Sequence, residues 1–382
     1  MNAKQAKYPQ LRFKGFTDPW EKRKLGEISK TTIGEFVIKN KQDSDAPYPV
    51  YNGGISYTGF YDEFNNEGDK IVISARGANA GFVNYIDGRF WAGNSCYSVD
   101  ILDRKKFSVE FMYQFLKRNQ HLFTDYQQAA NIPSVSKKDV ATFIVQFPTQ
   151  NEQREIASFF KQLDNLITLH QRKLAKLKEL KQGYLQKLFP QNGSKFPQLR
   201  FAGFADAWEQ RKLGEEAQLT MGQSPNSENY TKNPDDYILV QGNADMKNGR
   251  VVSRVWTTQI TKKAEKSDLI LSVRAPVGDI GKTDYDVVLG RGVAAIKGNE
   301  FIFQQLGKMK LTGYWTRYST GSTFESINSN DIKDAKIMVP VEEEQQKIGS
   351  FFQQLDHLIT LHQRKLEKLQ ELKKGYLQKM FC

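Results

Sequence analysis

Few residues in this 382-residue chain have the types and spacing that catalysis needs. The sequence holds no GxxxxGK[ST] phosphate loop, no GxGxxG after a strand and no HExxH zinc motif. Acid-x-lysine triplets serve metal-dependent nucleases. Those at 179–181 and 371–373, which recur in both copies, lie in helical segments without a second acid beside a strand. With four histidines in all, a nucleophile–histidine pair is poorly supported. We expect a chain that binds rather than catalyses, with no metal or cofactor of its own.

Charge indicates what such a chain binds. Lysine and arginine number 55 against 43 acidic residues, a net charge of +12, and this excess favours a polyanionic partner. The two cysteines, Cys96 and Cys382, are too few for a disulfide framework or a zinc site. No run of eighteen apolar residues and no signal-peptide pattern occurs, so we expect no membrane association and a cytoplasmic location.

The chain is a tandem duplication. Residues 9–27, PQLRFKGFTDPWEKRKLGE, return at 197–215 as PQLRFAGFADAWEQRKLGE, and the block at 151–189 returns at 343–381. The offsets are 188 and 192, so the segment between the repeated blocks is four residues longer in the second copy. The duplication predicts a globular domain at 1–150, a long helix at 151–189, a linker at 190–196, a second globular domain at 197–342 and a second long helix at 343–382.

Each long repeated block carries a heptad pattern of apolar residues, which predicts a helix of about 38 residues and about 57 Å. Such a stripe is best buried by packing one copy on the other as an antiparallel intramolecular coiled coil with a pseudo-twofold axis. His170 and His362 fall in the middle of the stripe and either meet or act as polar register residues without chemistry. The predicted packing and partner-facing residues are Ile156, Phe160, Leu163, Ile167, His170, Leu174 and Leu177, with Ile348, Phe352, Leu355, Ile359, His362, Leu366 and Leu369.

The segments between the repeated blocks predict one α+β fold with divergent loops. Short β-branched and aromatic runs predict strands at 70–75, 81–86, 237–241, 268–273 and 287–289, and helices follow at 110–118 and 300–308. KIVISAR, ending at Arg76, aligns with DLILSVR, ending at Arg274, and WAGNSCYSV at 91–99 aligns with VLGRGVAAI at 288–296. Specificity is expected in the loops, because loops vary on a common scaffold.

This arrangement resembles the specificity subunit of a type I restriction-modification system. The resemblance covers essentially the whole chain and rests on Trp20–Gly26 and Trp208–Gly214, on Glu152-Gln153 and Glu344-Gln345 after Pro148 and Pro340, and on LSVRAPVGDIG and GRGVAAI in the second copy. It implies two target recognition domains that each read one half of a bipartite DNA site, with the long helices setting the spacer and docking the methyltransferases. It also implies two methyltransferase subunits and two ATP-dependent translocase-endonuclease subunits as partners, which would hold S-adenosylmethionine, ATP and magnesium.

Base reading requires hydrogen-bonding side chains on loops, with arginine suited to guanine and asparagine or glutamine to adenine. The first copy offers Asn52, Arg76, Asn79, Arg89, Asn94, Ser95, Tyr97 and Asn131; the second offers Gln223, Ser224, Gln241, Asn243, Arg274, Arg291, Arg317 and Ser322. Each of these could instead be a turn residue or a phosphate contact, since most protein–DNA hydrogen bonds go to the backbone. Arg76 and Arg274 could also brace the ends of their strands.

Two other functions stay open on sequence grounds. A scaffold whose domains bind acidic protein surfaces would show no salt-dependent affinity for DNA, whereas a DNA reader loses affinity steeply with salt. A self-contained nuclease or methyltransferase would be active without partners, and the missing motifs argue against it.

Overall fold

The computed structural model describes residues 8–124, 133–191, 193–318 and 326–381. These residues form two compact units: the first runs to Leu169 and also includes the chain from Leu366 onward, and the second is His170–Lys365. Each unit therefore contains one globular domain and a segment of both long helices. None of the helices in the described ranges is long and apolar enough to cross a membrane.

The first unit is an α+β domain with a small set of antiparallel and mixed sheets. Its elements are β1 (Glu21–Lys24), α1 (Leu25–Ile28), β2 (Ser29–Ile33), β3 (Tyr48–Tyr51), β4 (Gly59–Tyr61), β5 (Lys70–Ser74), β6 (Val83–Ile86), β7 (Trp91–Ala92), β8 (Cys96–Ile101), α2 (Val109–Arg118), α3 (Lys137–Thr142), β9 (Ile144–Phe147) and the start of α4 (Gln150–Lys187). A four-stranded antiparallel sheet has the order β2-β8-β5-β6, and a three-stranded sheet has the order β4-β3-β7 with β3 and β7 parallel. β1 pairs with β9.

The second unit repeats this plan with added strands. Its elements are β10 (Glu209–Lys212), α5 (Leu213–Glu216), β11 (Gln218–Met221), β12 (Tyr230–Thr231), β13 (Tyr237–Val240), β14 (Met246–Lys247), β15 (Arg250–Val251), β16 (Trp256–Thr257), β17 (Lys263–Ala264), β18 (Leu269–Ser272), β19 (Ile280–Lys282), β20 (Val287–Leu289), β21 (Val293–Lys297), α6 (Glu300–Leu311), α7 (Ser329–Lys333), β22 (Lys336–Val339) and α8 (Glu342–Met380). Its larger sheets have the orders β11-β21-β18-β19-β15-β14 and β12-β16-β13-β20-β17, and β10 pairs with β22.

The predicted α+β fold is confirmed, and both units place equivalent strands side by side. β8 lies between β2 and β5 as β21 lies between β11 and β18, and the parallel pair β3-β7 corresponds to β13-β20. The five predicted strands are present, with ends shifted by at most two residues. The largest shift is at β6, which begins at Val83 because Gly81, with φ of 82°, still belongs to the preceding turn.

Each unit has an aromatic core that joins its globular domain to the helices. Trp20 packs edge-on against Phe111 and Phe381, with ring centroids 5.7 and 6.1 Å apart. Trp208 packs in the same way against Phe301 and Phe189, at 5.6 and 6.0 Å. Because both tryptophans are almost fully buried, the repeated WE-x-[RK]-[RK]-LG motif anchors the fold.

The two helix segments within each unit run antiparallel. In the first unit Phe159 of α4 contacts Tyr376 of α8, with ring centroids 5.0 Å apart, and the Lys373 Nζ lies 2.6 Å from Asp164. In the second unit Tyr184 contacts Phe351 at 5.0 Å, and the Lys181 Nζ lies 2.6 Å from Asp356. Along these contacts the residue numbers increase on one helix as they decrease on the other, which shows that the two segments are antiparallel.

Candidate nucleic-acid interface

Four loop segments of the first unit meet at one end of its central sheet. The Glu35 N–H donates to the Ala92 carbonyl at 2.8 Å, and the Ser95 N–H donates to the Asn52 side-chain oxygen at 3.0 Å. The Ser95 carbonyl in turn accepts from the amide of Ala75, the residue before Arg76, at 2.8 Å. We call residues 34–36, 52–54, 76 and 93–95 the first loop junction. It brings together four of the predicted DNA-contacting residues, Asn52, Arg76, Asn94 and Ser95.

The second unit builds the same junction from different residues. The Gln223 N–H donates to the Leu289 carbonyl at 2.9 Å, and the Arg291 N–H donates to the Ser224 hydroxyl at 3.1 Å. The Val273 N–H donates to the Gly292 carbonyl at 2.9 Å, beside Arg274. Residues 222–224, 241–243, 274 and 290–292 form this second loop junction. It brings together six predicted residues: Gln223, Ser224, Gln241, Asn243, Arg274 and Arg291.

Close backbone contact explains why glycine opens the first segment of each junction. A Cβ on Gly34 would overlap the carbonyl oxygens of Ala92 and Gly93, and one on Gly222 would overlap the carbonyl oxygen of Gly290. The amides of these two glycines also donate to the carbonyls of Cys96 and Val293, at 3.1 and 3.0 Å. The loops are thus fixed to the sheet end by their backbones. Of the side chains that follow, those of Glu35, Phe36 and Gln223 are exposed and that of Ser224 is half-buried.

Arg76 and Arg274 hold equivalent places at the ends of β5 and β18. Each forms an isolated antiparallel bridge, to Ser134 and Ser326 respectively, while its residue remains exposed. The backbone of each arginine therefore braces the strand end, and the guanidinium is left with five donors in a planar fork, the group suited to a guanine edge or a phosphate.

The remaining predicted contact residues lie elsewhere. Asn79 is exposed in the turn that follows Arg76. Arg89 lies at the far end of β7, where its guanidinium is 4.6 Å from the centre of the Phe64 ring and 3.4 Å from Glu67. Tyr97 is 9% exposed and packs in the domain core. Asn131, Ser322 and the side chain of Arg317 lie outside the described residues.

Some junction side chains shape the loops themselves. The Asn52 oxygen holds the Ser95 amide, and the Gln241 side chain donates to the Tyr230 hydroxyl at 2.9 Å. Beneath the first junction, the Cys96 Sγ lies 3.2 Å from the Gly93 carbonyl oxygen. Burial raises the pKa of this thiol to about 12, so it stays protonated at neutral pH and is a poor nucleophile.

The predicted stripe residues of the helices all lie on buried or half-buried faces within their units. Those that are buried are Ile156, Phe160, Leu163, Leu174, Ile348, Phe352, Leu355 and Leu366. Those that are half-buried are Ile167, His170, Leu177, Ile359, His362 and Leu369. Other leucines of the same helices are exposed by 38–45%, namely Leu166, Leu169 and Leu372 in the first unit and Leu180, Leu358 and Leu361 in the second.

His170 and His362 meet in the second unit. Their Nδ1 atoms are 2.8 Å apart, so one ring donates and the other accepts, and at least one ring is neutral. Burial, then the neighbouring His362 and then Lys365 and Lys173, lower the pKa of His170 below its usual value of 6.5. The pair is a polar contact inside an apolar stripe, of the kind that fixes helix register.

Two buried ion pairs attach the segment before each domain to its helix. The Arg12 guanidinium donates through two nitrogens to Glu152, both at 2.7 Å, and Arg200 does the same to Glu344 at 2.8 and 2.7 Å. Both glutamates are fully buried. Sequence reasoning missed these pairs, although all four residues stand at matching places in the repeated blocks.

Comparison with known proteins agrees with this architecture. The chain matches the family model for the type I restriction modification DNA specificity domain twice, at residues 17–179 and 205–371. A putative type I restriction enzyme MjaX specificity subunit from Methanocaldococcus jannaschii is 29% identical over 259 residues, which cover 65% of this chain and 60% of the relative. The type I restriction enzyme MjaVIII specificity subunit of the same organism is 21% identical over 94% of this chain and 91% of the relative.

Solved structures share the fold. The crystal structure of a type I restriction-modification S subunit from M. genitalium superposes with a TM-score of 0.76 at 19% identity, over 98% of this chain and 99% of the other. A structure described for complex assembly and conformational transition of the type I R-M system gives 0.54 at 21% identity, over 95% and 97%.

The fold and its paired loop junctions define a class of two-domain proteins in which one scaffold presents two divergent loop sets. Both family matches together span most of the chain, so it belongs to the family of type I restriction-modification DNA specificity proteins. The match to the first relatives spans only about 44 to 60% of their own length.

Proposed function

We propose that this chain is the DNA sequence-reading subunit of a type I restriction-modification complex, with each domain reading one half of a bipartite target. The observation that carries the proposal is that both units build the same loop junction, fixed by the same backbone hydrogen bonds, from different side chains. Direct reading of base edges requires a fixed scaffold that presents different donors and acceptors. The exposed ones among the predicted residues are Arg76 in the first junction and Gln223, Arg274 and Arg291 in the second. The net charge of +12 supports attraction to DNA.

In this proposal the chain contributes no catalysis. Methylation and cleavage belong to two methyltransferase and two translocase-endonuclease subunits in the cytoplasm, and these partners hold S-adenosylmethionine, ATP and magnesium. Support comes from the sequence, which lacks the motifs for binding nucleotides. The buried thiol of Cys96, protonated at neutral pH, also offers no nucleophile at the first junction.

The exposed leucines support docking of methyltransferases to the helices. Each unit presents an equivalent set of three, and duplicated apolar patches suit two copies of one partner. Replacing Leu358 and Leu361 by glutamine should remove one methyltransferase from the assembled complex, measured as its mass in solution. The exposed Lys178→Gln change on α4 is the control and should leave the mass unchanged.

The main test maps methylated adenines in DNA from cells that carry this chain with its methyltransferase. Arg76→Ala should relax the first half-site only, and Arg274→Ala the second only, because an arginine–guanine contact is worth about 1–3 kcal/mol of discrimination. Arg104→Ala is the matched control, because Arg104 is exposed and follows the end of β8 opposite to the junction. A methylation map that does not change when the whole chain is deleted would refute the proposal and favour a scaffold.

A further inference from the structure

Phe36 is the most exposed of the large apolar side chains in the described residues. It is 72% exposed, and Ile33 and Ile38 on either side of it are 45% and 46% exposed. An aromatic ring in this position adds little to folding, because it buries little apolar area. The exposed ring is therefore available to contact a binding partner.

The segment that carries Phe36 is held firmly. The Gly34 N–H donates to the Cys96 carbonyl at 3.1 Å, and the Glu35 N–H to the Ala92 carbonyl at 2.8 Å. After Phe36, the Ile38 carbonyl accepts a hydrogen bond from the Tyr61 hydroxyl at 2.8 Å. With both ends of the segment fixed, the ring is presented from a preorganised loop, which limits the ordering cost on binding.

Phe36 also belongs to the first loop junction. Its neighbours Gly34 and Glu35 contact the 92–93 backbone, and Gly93 lies against the Asn52 side chain. The equivalent position in the second junction, 188 residues on, is Ser224, whose hydroxyl accepts from the Arg291 amide. The two junctions thus place an exposed ring and a hydrogen-bonded hydroxyl at the same point of one scaffold.

We propose that Phe36 contacts the apolar surface of a base in the first half-site and helps to determine its sequence; the inference rests on the proposed DNA-reading function. The exposed Glu35 carboxylate beside it disfavours a phosphate at this point, but it can accept from a cytosine amino group. Lys39, exposed three residues further on, supplies a positive charge for the flanking backbone. An apolar ring between these two groups suits a base edge or base face.

The test measures binding of the assembled methyltransferase complex to DNA that carries both half-sites. Phe36→Ala should weaken this binding about fivefold to hundredfold, the range for loss of an aromatic–base contact, and leave the second half-site preference unchanged. Leu102→Ala is the matched control, because Leu102 is 64% exposed in the same unit but lies beyond the other end of β8, about 20 Å from the junction. It should leave binding unchanged.

Two DNA modifications distinguish the base edge from the base face. If the ring contacts a thymine methyl group, uracil in place of that thymine should weaken wild-type binding about fourfold and have no effect on the Phe36→Ala complex. If the ring inserts between bases, the fluorescence of 2-aminopurine at the contacted step should increase when the wild-type complex binds, because the base is unstacked. The fluorescence should stay low with the Phe36→Ala complex. Either result supports the inference.

Equal binding by wild type and Phe36→Ala would overturn it while leaving the DNA-reading function intact. It would also be overturned if the variant failed to assemble with its partners or melted at a lower temperature, because Phe36 would then be a protein contact. If the wild-type complex showed no preference for any bipartite site, the proposed function itself would fail.

Discussion

Arg200→Ala should destabilise the second unit strongly. Arg200 is the charged partner of Glu344, whose side chain is fully buried and receives both guanidinium hydrogen bonds, at 2.8 and 2.7 Å. The same arginine donates to the Asp206 carbonyl at 2.7 Å, so it also ties down the chain that leads into the domain. Removing it leaves a buried carboxylate without its counter-ion.

The expected cost follows from burial. Removing one partner of a buried pair costs about 3–5 kcal/mol, because the remaining charge is uncompensated. Glu344 lies in the first turn of α8, where the positive end of the helix dipole offsets about 0.3–1 kcal/mol. We therefore expect a loss of about 2–5 kcal/mol, and with a urea m-value of about 2 kcal/mol/M the midpoint should fall by about 1–2.5 M.

Amide hydrogen exchange at increasing urea concentration, measured on peptides assigned to each unit, reports the stability of the two units separately. Arg200→Ala should accelerate exchange in peptides of the second unit and spare those of the first, and Arg12→Ala should show the reverse. Glu344→Gln should cost less, since Arg200 is 15% exposed and can be hydrated. A loss below about 1 kcal/mol for Arg200→Ala would show that the buried-pair argument does not hold here.

Three further outcomes are expected. Gly183→Ala and Gly375→Ala should each stabilise the chain by about 0.5–1 kcal/mol, seen as a higher melting temperature, because a Cβ at either position meets no atom within 4 Å; a lower melting temperature would show crowding there. The lowered pKa of His170 means that the folded state binds its proton less readily than the unfolded chain, so this contribution to stability is complete above pH 6.5 and declines as the pH falls below it. The unfolding midpoints at pH 8 and 5.5 should therefore differ less for His170→Gln than for the wild type. An equal difference in both proteins would show that the histidine pair does not cause the loss of stability at low pH. Inserting one helical turn of four residues, about 6 Å, into both α4 and α8 should lengthen the DNA spacer by about two base pairs and leave both half-sites unchanged in the methylation map. Altered half-sites would contradict the proposal that the helices set the spacer.

The duplication, the two long helices and the α+β class could be predicted from the sequence alone. Heptad spacing is a local pattern, and α4 and α8 run as predicted, from Gln150 to Lys187 and from Glu342 to Met380. The alignment of KIVISAR with DLILSVR also identified Arg76 and Arg274 as equivalent. The two copies keep equivalent strands, so residues at the ends of these strands occur in the same order in both.

The contacts between residues far apart in the sequence depend on the three-dimensional arrangement of the elements. Arg12 and Glu152 are 140 positions apart, and the approach of Gly34 to the 92–93 backbone depends on how β2, β7 and β8 are arranged in space. Periodicity places a residue on a face of its own element but carries no information about the element that covers it. Tyr97 shows the limit: its residue type suits a base contact, but its position in β8 directs it into the core, whereas Phe36, among the described residues, shows its exposure only in the folded chain.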